Sequence, residues 1–336
     1  MDRMLPFPSG SRRDILALLG LGALAACTGG GSAPPDTLRV ADQLQYLQAV
    51  FNASGQARKP SPYRVEWSNF VSGPAVISAA TGGSIDLGWM ASTPMVFAQA
   101  AGSPIRIVAA FEGVVPPDGN SAMAIIVRPG STIRTLADLK GRRLAYGLGT
   151  ITQYCAYRAL ASVGLGFDDV ETVTATVALA GQLLLNDRTD ALVAVEPLLS
   201  TMVLSDEARI IARGVDLVNE VQYLVAPTAA LDRAETVRFI GDFITRSAEA
   251  MDWWRDNPDA AAREAERLYK VSPPIAASIA SHVGRKAVPI TPGIVAFQQE
   301  QANAFQALGQ IPRKVDAAAI FDRRFEASET KAPADG

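Results

Sequence analysis

Four segments place small hydroxyl or polar residues directly in front of a helix-starting pattern. Ser72-Gly73-Pro74, Ser92-Thr93-Pro94 and Glu196-Pro197 each set proline at the first helical position, and Thr150 to Thr152 follows Gly147-Leu148-Gly149 at the start of another helix. Proline fits there because the amide hydrogen it lacks has no partner in the first turn anyway. Ser and Thr just before it cap free N–H groups. Helix N-termini carry partial positive charge and unpaired donors, so several of them around one cleft bind anionic oxygens without Lys or Arg. Each segment alone also serves as an ordinary helix cap; their recurrence at strand ends is what makes them a candidate site.

Bond-making chemistry finds less support. There is no G-x-S-x-G elbow, and the single histidine, His282, falls in Ala280-Ser281-His282-Val283 of a helical tail, a surface or packing position rather than a general base. Cys155, between Tyr154 and Tyr157 in an amphipathic helix, reads as a buried spectator. Gly147-Leu148-Gly149-Thr150-Ile151-Thr152 lacks the third glycine of a dinucleotide fingerprint, which argues against a nicotinamide cofactor. Two cysteines and one histidine build neither a disulfide framework nor a zinc site, and no run resembles a calcium loop. The expectation is no catalytic residue, no cofactor, no metal and no enzymatic activity. A net charge of −3 without a basic run excludes nucleic acid as a partner.

The N-terminus reads as a targeting signal. Arg12-Arg13 precedes Ile15-Leu16, and Ala17 to Ala26 contains only Ala, Leu and Gly. About ten residues is half of the roughly 20 needed to span a bilayer, but suits the apolar region of a signal peptide. Leu24-Ala25-Ala26-Cys27 resembles the lipobox of bacterial lipoproteins, in which the cysteine is acylated, and Arg12-Arg13 resembles the twin-arginine export motif, with a general secretory signal as the alternative. Residues 1–26 are thus expected to be a leader, Cys27 the lipidation site, and residues 27–36 a flexible Gly/Pro/Ser tether. This places the protein in the periplasm or on the cell surface, attached to a membrane.

Positioning such helix starts requires alternating strands and helices. Strand patterns at Leu38–Ala41, Tyr63–Trp67, Asp86–Met90 and Ile105–Ala110 alternate with helices, and the pattern restarts at Arg143–Tyr146, Val170–Thr174 and Ala191–Val195, with a further strand at Gln222–Val225. Alternation with short connections predicts α/β structure with parallel sheets, and 336 residues suffice for two lobes. Beyond Leu231 the chain reads as nearly all helix, expected to return and cover the first lobe. Gly82 to Gly88 leading to Pro94 is echoed by Asn186 to Leu192 leading to Pro197, as two similarly built lobes would be.

Several of these runs resemble one family. Phe70-Val71-Ser72-Gly73-Pro74, Gly83-Ser84-Ile85-Asp86-Leu87-Gly88, Ser92-Thr93-Pro94, Leu136 to Ala145 and Gly309-Gln310-Ile311-Pro312 are similar to the sulfonate/taurine/nitrate group of binding proteins of ABC importers, over roughly residues 37 to 325. The resemblance implies a type II periplasmic-binding fold: two lobes, each a mostly parallel sheet flanked by helices, with a helical C-terminal tail. Lobe 1 would comprise 37–126 and 221–336, lobe 2 127–220, with hinges near Val127 and Asn219 to Gln222. It implies a monomer that captures a small sulfonate- or taurine-like ligand and delivers it to the permease subunits of an importer. It places the ligand against Gln43, Ser72, Gly73, Ser92, Thr93, Thr150, Thr152 and Glu196. The sequence departs from the family at Asp42-Gln43, Gln153 and Val195-Glu196. Asp42, Glu112 and Glu196 near one cleft would oppose a purely anionic ligand, each like-charge contact at 4 Å costing roughly 4 kcal/mol. A zwitterion, or a cationic or heterocyclic nitrogen compound of the thiamine-precursor type, therefore remains an alternative, as do a periplasmic enzyme or a sensor on the same fold.

Overall fold

Alternating strand and helix patterns produce two separate sheets, each flanked by helices. The computed structural model describes residues 36–115, 119 and 121–326, and residues from Leu38 onward belong to one compact unit. The expected leader, Cys27 and all but the last residue of the tether lie outside the described residues.

The chain begins with β1 (Thr37–Gln43), α1 (Tyr46–Ala53), β2 (Arg64–Phe70), α2 (Gly73–Thr81), β3 (Leu87–Ala91), α3 (Pro94–Ala100) and β4 (Ile105–Gly113). It crosses to β5 (Met123–Val127), β6 (Arg143–Tyr146), α4 (Ile151–Ser162), β7 (Glu171–Thr174), α5 (Val177–Leu185), β8 (Ala191–Val195), α6 (Leu198–Leu204) and β9 (Arg209–Arg213). It returns through β10 (Gln222–Pro227), α7 (Thr228–Leu231), α8 (Ala234–Asp256), α9 (Pro258–Tyr269), α10 (Pro273–Val283), β11 (Arg285–Val288) and α11 (Pro292–Ala307). The first lobe is built on a sheet of order β11-β4-β10-β3-β1-β2, the second on β7-β6-β8-β5-β9.

The two-lobed α/β architecture agrees with the sequence reading, but the sheets are mixed rather than mostly parallel. β1 runs parallel to β3, and β6 parallel to β7 and β8. β10 is antiparallel to β3 and β4, β5 to β8 and β9, and β11 to β4. The reason is the double crossing: β4 and β9 carry the chain out of their sheets, and β10 and β5 run opposite to their neighbours, β10 between β4 and β3 and β5 between β8 and β9. Met123–Val127 pairs wholly within the second sheet. β5 thus belongs to the second sheet.

The internal echo has a structural counterpart. Arg39, in β1, donates from its backbone N and from Nε to Asp86 Oδ2, from Nη2 to Oδ1, and from Nη1 to the Gly83 carbonyl. Arg143, in β6, makes the same four bonds to Asp190 and the Asp187 carbonyl. Each pair fixes the turn before a central strand, β3 or β8, by a two-pronged charge-assisted clamp. The Arg143 bonds hold the Asp190 carboxyl below the usual carboxylate range, and at Asp86 the Arg39 bonds do so against the opposing push of burial.

The helical tail packs on the first sheet. Phe243 of α8 stacks on Phe51 of α1 at 5.0 Å, in one core with Leu38, Val40 and Trp89 from the sheet and Ile279 from α10. Burying a side chain the size of Phe243 contributes about 1.5–3 kcal/mol. On α11, Phe305 meets Phe97 of α3 at 4.8 Å and Tyr154 of α4 at 6.1 Å, so this helix touches both lobes.

Candidate functional site

The carboxyl ends of β1, β6 and β7 and the starts of α2, α4 and α5 surround a cleft of about 450 Å³, within the range of small-molecule sites. Gln43, Ser72, Gly73, Thr150 and Thr152 all line it, bringing residues that follow strands of both sheets to one space.

Local packing explains these types. A β-carbon on Gly73 would sit 2.3 Å from Pro94 Cγ, so only glycine lets the starts of α2 and α3 pack together. Ser72, the N-cap of α2, makes no side-chain bond to its own helix. The loop before α4 is wound more tightly. Thr150 Oγ1 donates to the Gly147 carbonyl at 2.8 Å, Thr152 Oγ1 accepts from Gly147 N at 2.9 Å, and the two hydroxyls lie 2.8 Å apart. Gly149 adopts φ +69° and donates to Gln153 Oε1, while Gln153 Nε2 donates to Gln310 Oε1, both at 2.8 Å. The threonine hydroxyls therefore rigidify the loop they face the cleft from. Across the cleft, Leu44 and Gln45 adopt left-handed φ values of 63° and 62°, a conformation that costs non-glycine residues about 1–3 kcal/mol each and clusters at functional sites.

The remaining expected residues lie elsewhere. Ser92 and Thr93 are buried, and their hydroxyls bond Gln301 of α11, Ser92 Oγ accepting from Nε2 at 3.0 Å and Thr93 Oγ1 donating to Oε1. Asp42 turns back onto α1 and accepts from Gln48 N at 2.7 Å; its other oxygen has no partner, and burial pushes the carboxyl up to about 7. Glu112 accepts from Asn219 Nδ2 at 3.2 Å. Glu196 accepts from Ser200 N at 3.1 Å, and Ser200 Oγ and His282 Nδ1 each lie 2.6 Å from its Oε1. None of these five residues lines the cleft.

Ser200, Glu196 and His282 are the residue types of a hydrolytic triad, but both partners converge on one carboxylate oxygen. A relay to a serine nucleophile places the imidazole in the middle instead. All three are buried, and with Tyr46, whose hydroxyl donates to the Glu196 carbonyl, they join the second lobe to α1 and α10. Cys155 is fully buried, and burial pushes its thiol well up, which removes thiolate reactivity.

Sequence reasoning missed Thr176, Tyr146 and Arg285. Thr176 lines the cleft as the N-cap of α5 and followed the same strand-then-Thr signal as Thr150. Tyr146, the last residue of β6, also lines it. Arg285, at the start of β11, lines a smaller cavity on the cleft floor. Among the described residues no group of His, Cys, Asp and Glu is arranged to hold a metal ion, and no helix is long and apolar enough to cross a membrane.

The chain matches the NMT1/THI5 like family over residues 72–261. It is 29% identical over 304 residues to the putative aliphatic sulfonates-binding protein of Escherichia coli (strain K12), an alignment covering 90% of this chain and 93% of that protein. The crystal structure of the periplasmic aliphatic sulphonate binding protein SsuA from Escherichia coli superposes with a TM-score of 0.75 at 27% identity, covering 86% of this chain and 98% of that one. The alkanesulfonate-binding protein SsuA from Xanthomonas axonopodis pv. citri, bound to MOPS, gives a TM-score of 0.76 at 25% identity, over 87% of this chain and 100% of that one.

Proposed function

The chain belongs to the NMT1/THI5 like family, and from that premise we propose that it is a solute-binding protein that captures a sulfonate-like small molecule between its lobes. The observation that carries this reading is the cleft itself, in which Gln43, Ser72, Gly73, Thr150 and Thr152 converge from both lobes beside the starts of three helices. Helix starts supply N–H donors and positive potential to the oxyanion, and hydroxyls supply further donors. The relatives named for binding aliphatic sulfonates support the same solute class.

The connection at Asn219 to Gln222, leading into β10, then acts as a hinge. Solute contacting both lobes shifts the population toward the closed form, whose surface an ABC permease recognises. In this reading residues 1–26 direct export, Cys27 carries the lipid, and the protein works as a monomer outside the cytoplasm. The cation-binding alternative loses support because Asp42 is bonded to α1, and Glu196 to α6 and His282.

The test is calorimetric titration of 1-hexanesulfonate into the full-length protein and its Ser72→Ala variant. Loss of one hydroxyl donor to the bound oxyanion lowers affinity about 3- to 30-fold, roughly 0.5–2 kcal/mol. Equal affinities would remove Ser72 from the site.

A further inference from the structure

The floor of the cleft opens into a cavity of about 60 Å³ whose lining includes Gln43, Tyr46, Glu220, Gln222 and Arg285. Gln43 and Ile151 line both spaces, so the two adjoin. We propose that this floor completes the head-group subsite: Arg285 is a cationic anchor for the solute's oxyanion beneath the helix starts, while the apolar walls of the cleft take an uncharged, apolar tail. The proposal rests on the solute-binding reading and specifies which end of the solute sits where.

Arg285 reaches the floor from β11 and is 4% exposed. Its Nη1 donates to the carbonyls of His282 and Gly284, at 2.9 and 3.0 Å. Its Nε is buried without a hydrogen-bond partner, and Nη2 stands 3.9 Å from Glu220 Oε2, beyond hydrogen-bond range. A guanidinium stays charged and carries five donors, and a buried one is stable only when they are satisfied. An oxyanion in the cavity supplies the missing acceptors in charge-assisted form.

Glu220 is the opposing charge and must be accounted for. Its Oε2 accepts from Ala122 N at 3.2 Å, and burial raises its carboxyl above the ordinary range. An arriving anion pushes it in the same direction, toward the neutral form.

The cleft above has the opposite character. No Asp, Glu, Lys or Arg is among the described residues that line it, and Val71, Leu148 and Leu179 on its walls are 60–63% exposed. A tail bearing an ammonium would leave water for a space with no counter-charge, whereas a hydrocarbon tail covers the exposed side chains. The favoured solute is an apolar-tailed sulfonate rather than an amino-sulfonate.

The test titrates 1-hexanesulfonate and 1-octanesulfonate into the full-length protein and its Arg285→Met, Arg285→Lys and Glu220→Gln variants, with thermal unfolding of each in the absence of solute. Arg285→Met should lose at least 100-fold in affinity, by the same factor for both tails, because only the head contact is removed. Arg285→Lys should lose about tenfold, keeping the charge without the planar fork, and Glu220→Gln should bind at least as tightly as the parent. If Arg285→Met does not fold, Arg285→Lys and Glu220→Gln decide. A folded Arg285→Met or Arg285→Lys variant within threefold of the parent would overturn the anchor, and so would a tenfold loss in Glu220→Gln. Failure of the parent protein to bind either sulfonate would instead overturn the solute-binding reading on which the anchor depends.

Discussion

Asp42 shows how a side chain of the right type at the right place can serve the fold alone. It is the penultimate residue of β1, whose end leads to the cleft, but its carboxyl turns onto the first turn of α1. An unfolded aspartate ionises near pH 4, whereas burial moves the folded group to about 7. Below about pH 4 both states hold the proton and the penalty is absent. As pH rises from 4 to 7 the unfolded chain releases the proton first, so stability falls across that window and levels off above it. Asp42→Asn keeps an acceptor for Gln48 without the charge. It should flatten the melting temperature between pH 4 and 7 and stabilise the protein at pH 7 by on the order of 2–4 kcal/mol. A parent-like pH profile in the variant, followed by thermal unfolding, would refute this. The sequence announced the residue types at such positions but not their rotamers, so it could not separate Ser72, which faces the cleft, from Ser92 and Thr93, which fasten α11.

At the scale of elements, the helix starts were the most legible part of the chain. Proline at the first turn with glycine or hydroxyl residues before it marked α2 and α3, and threonine after Gly147-Leu148-Gly149 marked α4, close to where they occur. The reason lies in local chemistry, since caps and missing amide hydrogens act within a few residues. β5, β9 and β11 were not legible. Met123–Val127 is a uniformly buried run without alternation, and the four residues of β11 gain their identity only by pairing with β4. Gly73 joins the two levels, because its lack of a side chain sets how α2 meets α3. Gly73→Ala should destabilise the fold by about 1–3 kcal/mol and weaken sulfonate binding as the α2 start is pushed off Pro94. Combining it with Pro94→Ala removes the clashing atom, so a double-mutant cycle in thermal unfolding should show recovery. Strict additivity of the two losses would mean that the contact does not set this packing.

For the whole molecule, the repeated Arg39–Asp86 and Arg143–Asp190 clamps show two lobes of one design facing each other across the cleft. The weak sequence echo around Asp86 and Asp190 pointed to this, although the arginine partners in β1 and β6 became visible only once the strands were paired. The Glu196 network with Tyr46 and His282 joins the lobes on buried polar groups, leaving a cleft lined by no acidic or basic side chain among the described residues and a floor that holds Arg285 and Glu220. The solute preference follows from that distribution of charge. The most direct test is a calorimetric titration of the full-length protein against three ligands that separate head group from tail: 1-hexanesulfonate, hexylammonium and taurine. Saturable one-to-one binding of hexanesulfonate, with weaker or no binding of taurine and none of hexylammonium, is the expected result. Binding of hexylammonium without any response to hexanesulfonate would contradict the account at its centre.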